Sequence, residues 1–128
     1  MEAFSYCGYK IIGKESSLRQ VLTTCGMVNI DSDDIKSILS SIAPNYVVED
    51  IDDNVDAAFQ KALTKIPFGL SQFKSLAIQV YIRDNQSMVK NDFVEIIKNL
   101  PTDLNWKIGL ARDKTLIDKI KVTLIAAL

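Results

Sequence analysis

The run Gly26-Met27-Val28-Asn29-Ile30-Asp31-Ser32-Asp33-Asp34-Ile35 places an amide and two carboxylates immediately before and inside the first turn of a predicted helix. These side chains belong to Asn29, Asp31 and Asp34. An aspartate at this point caps a helix well, and a second acidic residue in the first turn interacts favourably with the helix dipole. A cap needs only one acceptor, however, and the neighbouring Asp33 and Asp34 repel each other. Two interpretations of the run stay open, a purely structural cap and a functional loop.

One helix is predicted before this run, and a second begins within it. Ser16 or Ser17 can cap the first helix, which Gly26 ends. The second helix begins within the run, and Pro44 stops it. Its apolar residues have the i, i+3, i+4, i+7 spacing of one helix face; they are Ile35, Ile38, Leu39 and Ile42.

Strand and helix patterns alternate along the rest of the chain. The predicted strands are 46–51, 76–82, 106–111 and 119–127, and the predicted helices between them are 55–66 and 87–100. The segment 112–118 is expected to join the last two strands as a hairpin connection does. The stretch from Tyr6 to Ile11 alternates as a short strand would, but Gly8 and Gly13 weaken that assignment.

This order predicts a single α+β domain. Strand–helix–strand crossovers are right-handed and place both crossover helices on one face of the sheet. We therefore expect a four-stranded mixed sheet with two helices packed on one face, plus one or two N-terminal helices at its edge. Residues 1–15 stay an unassigned N-terminal segment, and 16–128 form the domain.

Composition excludes several classes of function. With 48% hydrophobic and 24% charged residues, the 128-residue chain has the balance of an ordinary globular protein. Its net charge of −1 argues against nucleic acid or an anionic membrane as the main partner, because both need a basic face. No apolar run approaches the ~20 residues of a membrane-spanning helix.

Histidine is absent, which removes the commonest general base and the commonest zinc ligand. Cys7 and Cys25 form no Cys-x-x-Cys motif and are expected to be reduced thiols of a cytoplasmic protein. The start of the chain lacks the pattern of a signal peptide. An enzyme acting alone is therefore the least favoured class.

Several motifs, in order, resemble the C-terminal domain of the FtsZ/tubulin-like GTPase family. Gly26-x-x-Asn29-x-Asp31-x-x-Asp34 is similar to the family's catalytic loop, which reaches into the nucleotide site of the next subunit in a filament. Further matching segments are Ala58-x-x-x-Ala62-Leu63, 76–82, Trp106 to Asp113 and Asp118 to Ala126. The resemblance covers roughly 16–127. Ser32 stands where the family has an aromatic residue.

The resemblance implies a function in trans. Asn29, Asp31 and Asp34 would help to orient the attacking water on a neighbouring subunit's GTP. The glycine-rich phosphate loop of the family's other half has no counterpart, since the five glycines never cluster. The chain alone is thus expected to bind no cofactor and to hydrolyse no GTP. It would complete a partner's GTP site or cap a filament end.

A second interpretation uses the fold alone. The chain would then be a stand-alone α+β binding or regulatory module, because fold does not determine function. Two smaller ambiguities accompany it. Trp106 suits core or corner packing better than a binding hot spot, and the acidic segment 49–56 suits a solvated turn better than a calcium site.

Overall fold

The computed structural model describes residues 2–24, 28–83, 90–117 and 119–128. The strands are β1 (Ala3–Tyr6), β2 (Tyr9–Gly13), β3 (Asn45–Asp52), β4 (Ser75–Ile82), β5 (Asn105–Arg112) and β6 (Ile120–Ala127). The helices are α1 (Glu15–Thr23), α2 (Ser32–Ile38), α3 (Val55–Leu63) and α4 (Lys90–Lys98). Every predicted helix and strand that falls on these residues is present.

The strands form one mixed sheet in the order β1-β2-β3-β6-β4-β5. The prediction of a mixed α+β sheet is confirmed, but the prediction of four strands is wrong, since β1 and β2 extend it to six. Strand β2 runs parallel to β3, with Ile11 opposite Asn45 and Gly13 opposite Val47. Both added strands lie within residues 1–15, and the division of the chain at residue 15 stays a prediction.

The turn between β1 and β2 explains why this hairpin forms. Both turn residues have positive φ, 50° at Cys7 and 85° at Gly8. Positive φ at both central positions defines the type I′ turn, whose twist matches that of two antiparallel strands. The glycine that weakened the sequence-based assignment is therefore part of the turn that makes the hairpin.

Helices cover both faces of the sheet. Helices α3 and α4 pack on one face, as predicted, over a core that includes Phe59, Ile78, Ile96 and Leu124. Helices α1 and α2 pack on the opposite face rather than at the edge, over a core that includes Leu18, Ile35, Tyr81 and Ile125. The expected edge position is wrong because successive residues of the central strands are apolar on both faces, and both faces must be covered.

The last two strands do not form a hairpin. Strand β6 lies between β3 and β4 and is antiparallel to both, whereas β5 lies outside β4 and runs parallel to it. Residues 122–127 of β6 are buried one after another, which is the pattern of a central strand. The segment after β5 therefore crosses β4 rather than making a tight turn.

Helix α2 ends earlier than predicted. Leu39 already has extended backbone angles, and Ile42 is 92% exposed instead of lying in the core. The buried side chain of Asn45 accepts a hydrogen bond from Ser40 N and donates to the carbonyls of Ser40 and Lys10. These bonds satisfy the backbone beyond the helix in a non-helical path.

Helix α3 matches its predicted apolar face. The residues expected to be buried are buried, namely Val55, Ala58, Phe59, Ala62 and Ile66. The side chain of Asn54 caps it by accepting from Ala57 N at 2.8 Å. The predicted end of α1 at Gly26 and the predicted cap of α4 at Ser87 lie outside the described residues.

Candidate functional site

The candidate loop is attached to the edge of the sheet through its backbone. Val28 N donates to Leu110 O at 3.2 Å, and Leu110 N donates to Val28 O at 2.9 Å. This isolated antiparallel bridge ties the segment before α2 to strand β5. The loop therefore has a defined position on the domain.

Ile30 anchors the same segment by packing into the core on the α1–α2 face of the sheet. It is only 4% exposed and lies over Gly109 of β5. An ideal Cβ at Gly109 would be 2.9 Å from Ile30 Cγ1 and 2.3 Å from Gln79 Oε1. The absence of a side chain at Gly109 is what lets Ile30 sit this close.

Asp31 and Asp34 are brought together in a capping box. Asp31 Oδ1 accepts from Asp34 N at 2.8 Å, and Asp34 Oδ2 accepts from Asp31 N at 3.1 Å. The two carboxylates thus have a structural role at the start of α2. Asp31 is exposed and Asp34 is half-buried. Each has a second carboxylate oxygen that takes no part in the two capping-box bonds.

Asn29 lies between the two anchors, Val28 and Ile30, and is exposed. The structure therefore collects all three predicted site residues on one short segment, with Asn29 and Asp31 exposed and Asp34 half-buried. Their proposed action on a partner's nucleotide stays a prediction.

A polar cluster beneath α1 was not predicted from the sequence. Lys121 Nζ, on a side chain only 12% exposed, lies 2.6 Å from Gln20 Oε1, 3.4 Å from Asp113 Oδ2 and 3.6 Å from Glu49 Oε2. Gln20 Nε2 also donates to Asp113 Oδ2 at 3.1 Å. Ser17 Oγ donates to Glu49 Oε1 at 2.8 Å.

This cluster fixes α1 on the sheet. The alternating pattern of the last strand predicts that Lys121 is exposed, and no neighbouring residue in the sequence indicates its partners. Its ammonium lies 4.7 Å from the centre of the Tyr81 ring, a cation–π distance. Burial raises the pKa of Tyr81 to about 12, so Lys121 faces a neutral phenol near pH 7.

Asp113 is the main carboxylate of the cluster. Its partial burial alone would raise its pKa, but hydrogen bonds from Thr115 and Gln20 and the charge of Lys121 outweigh that effect. The net result is an Asp113 pKa below its ordinary value. Asp113 is therefore a charged anchor of this cluster near pH 7.

The acidic segment is balanced by lysines. Asp52 lies 3.4 Å from Lys61 in α3, and Asp50 lies 3.4 Å from Lys65 just after that helix. Asp53 pairs with Lys119. Within the described residues, no group of three or more Cys, Asp or Glu side chains is arranged to hold a metal ion. The calcium alternative therefore receives no support there.

Trp106 lies at an apolar groove between α4 and the outer edge of β5. We call this the β5 groove; its volume is about 230 Å³ and it is lined by Val28, Phe93, Ile97, Trp106, Ile108 and Leu110. Trp106 is 38% exposed, so it is not a core residue.

In the described part of the chain, no helix has both the length and the apolar character to cross a membrane.

Comparison with solved structures identifies the fold. The empty FtsZ dimer of M. jannaschii matches with a TM-score of 0.70 and 16% identity, over 88% of this chain and 35% of the FtsZ chain. GDP-form protofilaments of TubZ from Bacillus thuringiensis serovar israelensis match with a TM-score of 0.62 and 12% identity, over 81% of this chain and 30% of TubZ. A helical model of the four-stranded TubZ-Bt filament matches with a TM-score of 0.63 and 13% identity, over 88% of this chain and 32% of that chain.

No protein-family model and no curated protein sequence matches this chain. The chain spans about a third of the length of the FtsZ and TubZ chains that it matches. At these low identities the likeness concerns the fold. The resemblance found in the sequence is thereby confirmed at that level, and this chain has the FtsZ/tubulin-type fold of a C-terminal-domain-like part of those longer proteins.

Proposed function

We propose that this chain associates with an FtsZ- or tubulin-type GTPase subunit and presents residues 28–34 to that subunit's nucleotide. The observation that carries the proposal is a loop in which the amide of Asn29 and the carboxylate of Asp31 are exposed and that of Asp34 is half-buried. Val28 and Ile30 hold this loop on a fold shared with FtsZ. The matched structures include an FtsZ dimer and TubZ protofilaments. Association with a protein of the same kind is the simplest role for such a fold.

In this proposal the loop acts through charge and position. The oxygens of Asp31 and Asp34 that lie outside the capping box would orient water beside the partner's γ-phosphate, with Asn29 as a polar neighbour. The capping box would hold both carboxylates in place. The chain supplies no phosphate loop, so the only nucleotide involved is the GTP of the neighbouring subunit.

This chain, added on its own to such a GTPase, would bring the loop without a phosphate loop and would stop filament growth. It can occupy one end of a filament but cannot accept the next subunit through a nucleotide face of its own. Shorter filaments are therefore the expected effect on a matching GTPase.

The test adds the chain to an FtsZ-type GTPase and measures GTP hydrolysis and filament length. Asp31→Asn combined with Asp34→Asn removes both charges, while asparagine still caps helices well. We expect the wild-type chain to change hydrolysis and this double variant to lose that effect. Asp33→Asn is the matched control, because Asp33 lies in the same turn outside the capping box.

Two outcomes would contradict the proposal. One is a wild-type chain that changes neither hydrolysis nor filament length with several FtsZ- and TubZ-type partners. The other is an effect that the double variant retains in full, as the Asp33→Asn control is expected to do. Calorimetric titration with GTP and GDP adds an independent check, since saturable micromolar binding to the chain alone would refute a role confined to the partner's nucleotide.

A stand-alone binding or regulatory module is the second candidate. The capping box favours it, because it gives Asp31 and Asp34 a structural purpose without any nucleotide. The same experiment separates the two candidates, since a module of this kind leaves GTPase filaments unchanged. The cytoplasmic location and the absence of nucleic-acid and membrane partners stay predictions.

A further inference from the structure

Strand β5 is an edge of the sheet, and its hydrogen bonds to β4 show which backbone groups point outward. Asn105 N donates to Lys74 O at 3.0 Å, and Asp113 N donates to Ile82 O at 2.8 Å. Both ends of the strand thus use odd-numbered residues to bond β4. Because backbone groups alternate in direction along a strand, the even-numbered residues direct their N–H and C=O groups away from the sheet.

Part of this outward edge is already covered. Leu110 bonds Val28 in both directions through the antiparallel bridge. The chain then turns away at Ile30 to begin α2. None of the described residues pairs with the outward backbone groups of Trp106 and Ile108, so within that part of the chain this stretch of the edge is open beside an antiparallel pair.

The open edge adjoins the β5 groove. Trp106 and Ile108 lie on the groove face of β5, and their side chains form part of its lining. The lining is apolar throughout, and three of its side chains remain well exposed: Val28 at 50%, Trp106 at 38% and Ile97 at 37%. An exposed apolar groove beside open backbone groups is a surface that an extended segment can cover.

Lys107 determines what kind of segment fits. It is exposed, lies between Trp106 and Ile108, and points to the opposite face of the sheet. A second copy of β5 pairing Trp106 with Ile108 in antiparallel register would place the two Lys107 side chains directly opposite each other. Like charges in directly opposed positions destabilise a pair, so this register of self-pairing is disfavoured and an acidic residue is favoured opposite Lys107.

We propose that the β5 edge binds an extended segment of a partner protein as an added antiparallel strand with an apolar–acidic–apolar core. The two apolar residues lie opposite Trp106 and Ile108, exchange backbone hydrogen bonds with them and cover the β5 groove. The acidic residue between them lies opposite Lys107 on the other face. This interaction does not require the loop's proposed action on a nucleotide, although Val28 belongs to both surfaces.

The test uses a capped seven-residue peptide with a Phe-Glu-Val core flanked by threonines. Trp106 is the only tryptophan, so its fluorescence reports on the edge directly. We expect saturable binding with a blue shift of Trp106 emission. A Phe-Lys-Val peptide should bind at least about tenfold more weakly, because it places like charges opposite each other.

A charge exchange tests the pairing at residue 107. Lys107→Glu should reverse the preference, so that the Phe-Lys-Val peptide binds better than the Phe-Glu-Val peptide. Lys10→Glu is the matched control, because Lys10 is an exposed lysine in β2 on the far side of the sheet. It should leave both affinities unchanged.

Backbone methylation of the peptide tests strand addition itself. A methyl group on the nitrogen of the core phenylalanine or valine removes a donor directed at β5 and should abolish binding. A methyl group on the glutamate nitrogen points away from β5 and should be tolerated.

Any of four results would overturn the proposal: no change in Trp106 emission up to millimolar peptide, binding insensitive to the central charge, equal effects of all methylations, or dimerisation of the chain through β5 in sedimentation.

Discussion

The side chain of Ile30 occupies the space that a Cβ atom on Gly109 would need, with Ile30 Cγ1 only 2.9 Å from that position. The contact joins the candidate loop to the outermost strand of the sheet. The Val28–Leu110 bridge lies immediately beside it. The position of the loop therefore depends on a glycine in a strand, where glycine ordinarily has a cost.

Gly109→Ala should displace the loop. The added methyl group must move Ile30 or the buried Gln79, and overpacking of this kind costs about 1–3 kcal/mol. We expect that loss in chemical denaturation, together with faster hydrogen exchange at Val28 and Leu110. Gly69→Ala is the control, because a Cβ at Gly69 would meet nothing closer than Gln72 Oε1 at 3.8 Å. Unchanged exchange at Val28 in Gly109→Ala would show that Ile30 does not anchor the loop.

The sequence predicts those parts of the fold whose signal is local. Helix α3 shows its apolar face as a 3.6-residue period, and the Asp31 cap is visible in the run that precedes α2. The position of β6 is not local. It follows from pairing with β3 and β4, which come much earlier in the chain, and its burial on both faces makes a simple alternating pattern misleading.

The candidate site divides in the same way. Asn29, Asp31 and Asp34 could be selected through the resemblance of their short run to the FtsZ-type loop, whereas their spacing alone favoured a helix cap. The contacts that hold this run in place could not be predicted from it, because they come from Leu110 and Gly109, about 80 residues later in the chain. Lys121 also escaped prediction, since its partners come from α1, β3 and the segment after β5.

Cys7→Asn should stabilise the protein. Cys7 has φ of 50° and precedes Gly8 in a type I′ turn, in which Asn-Gly is the favoured pair. Asparagine tolerates positive φ better than cysteine, so we expect a gain of up to about 1 kcal/mol. A thermal melt measures it, and Cys7→Val is the opposing control because β-branched residues tolerate positive φ poorly. A lower Tm for Cys7→Asn than for the wild type would contradict the turn assignment.

Asp113→Asn should reduce the stability of the protein near neutral pH and flatten its dependence on acid. The folded-state pKa of Asp113 lies below the ordinary value, so its stabilising contribution is present above the unfolded-state pKa near 4. It is lost as pH falls through the folded-state pKa. The variant should lack that acid-dependent loss. At pH 7 its free energy of unfolding should be about 1–3 kcal/mol lower than that of the wild type, because Lys121 loses a charged partner.

Denaturation between pH 7 and pH 2 measures both effects. Asp53→Asn is the control, because Asp53 pairs with Lys119 at an exposed position where ion pairs contribute about 0–1 kcal/mol. Equal losses in the two variants at pH 7 would mean that the cluster beneath α1 does not hold the helix more firmly than a surface pair does.

Asp31→Ala and Asp34→Ala should have coupled effects on stability. Each substitution removes one hydrogen bond of the capping box, 2.8 Å from Asp34 N to Asp31 Oδ1 and 3.1 Å from Asp31 N to Asp34 Oδ2. Loss of a cap costs about 0.5–2 kcal/mol. We expect Asp31→Ala to cost more, because it removes the cap itself, and the double variant to cost less than the two single losses added together.

The corresponding asparagine variants separate capping from charge. Asp31→Asn should keep most of the stability, because asparagine accepts the bond from Asp34 N as aspartate does. If urea denaturation shows Asp31→Asn to be as unstable as Asp31→Ala, the carboxylate charge is required for folding. The double asparagine variant would then be unsuitable for testing an action on a partner's nucleotide, and Asn29→Ala would take its place in the hydrolysis assay.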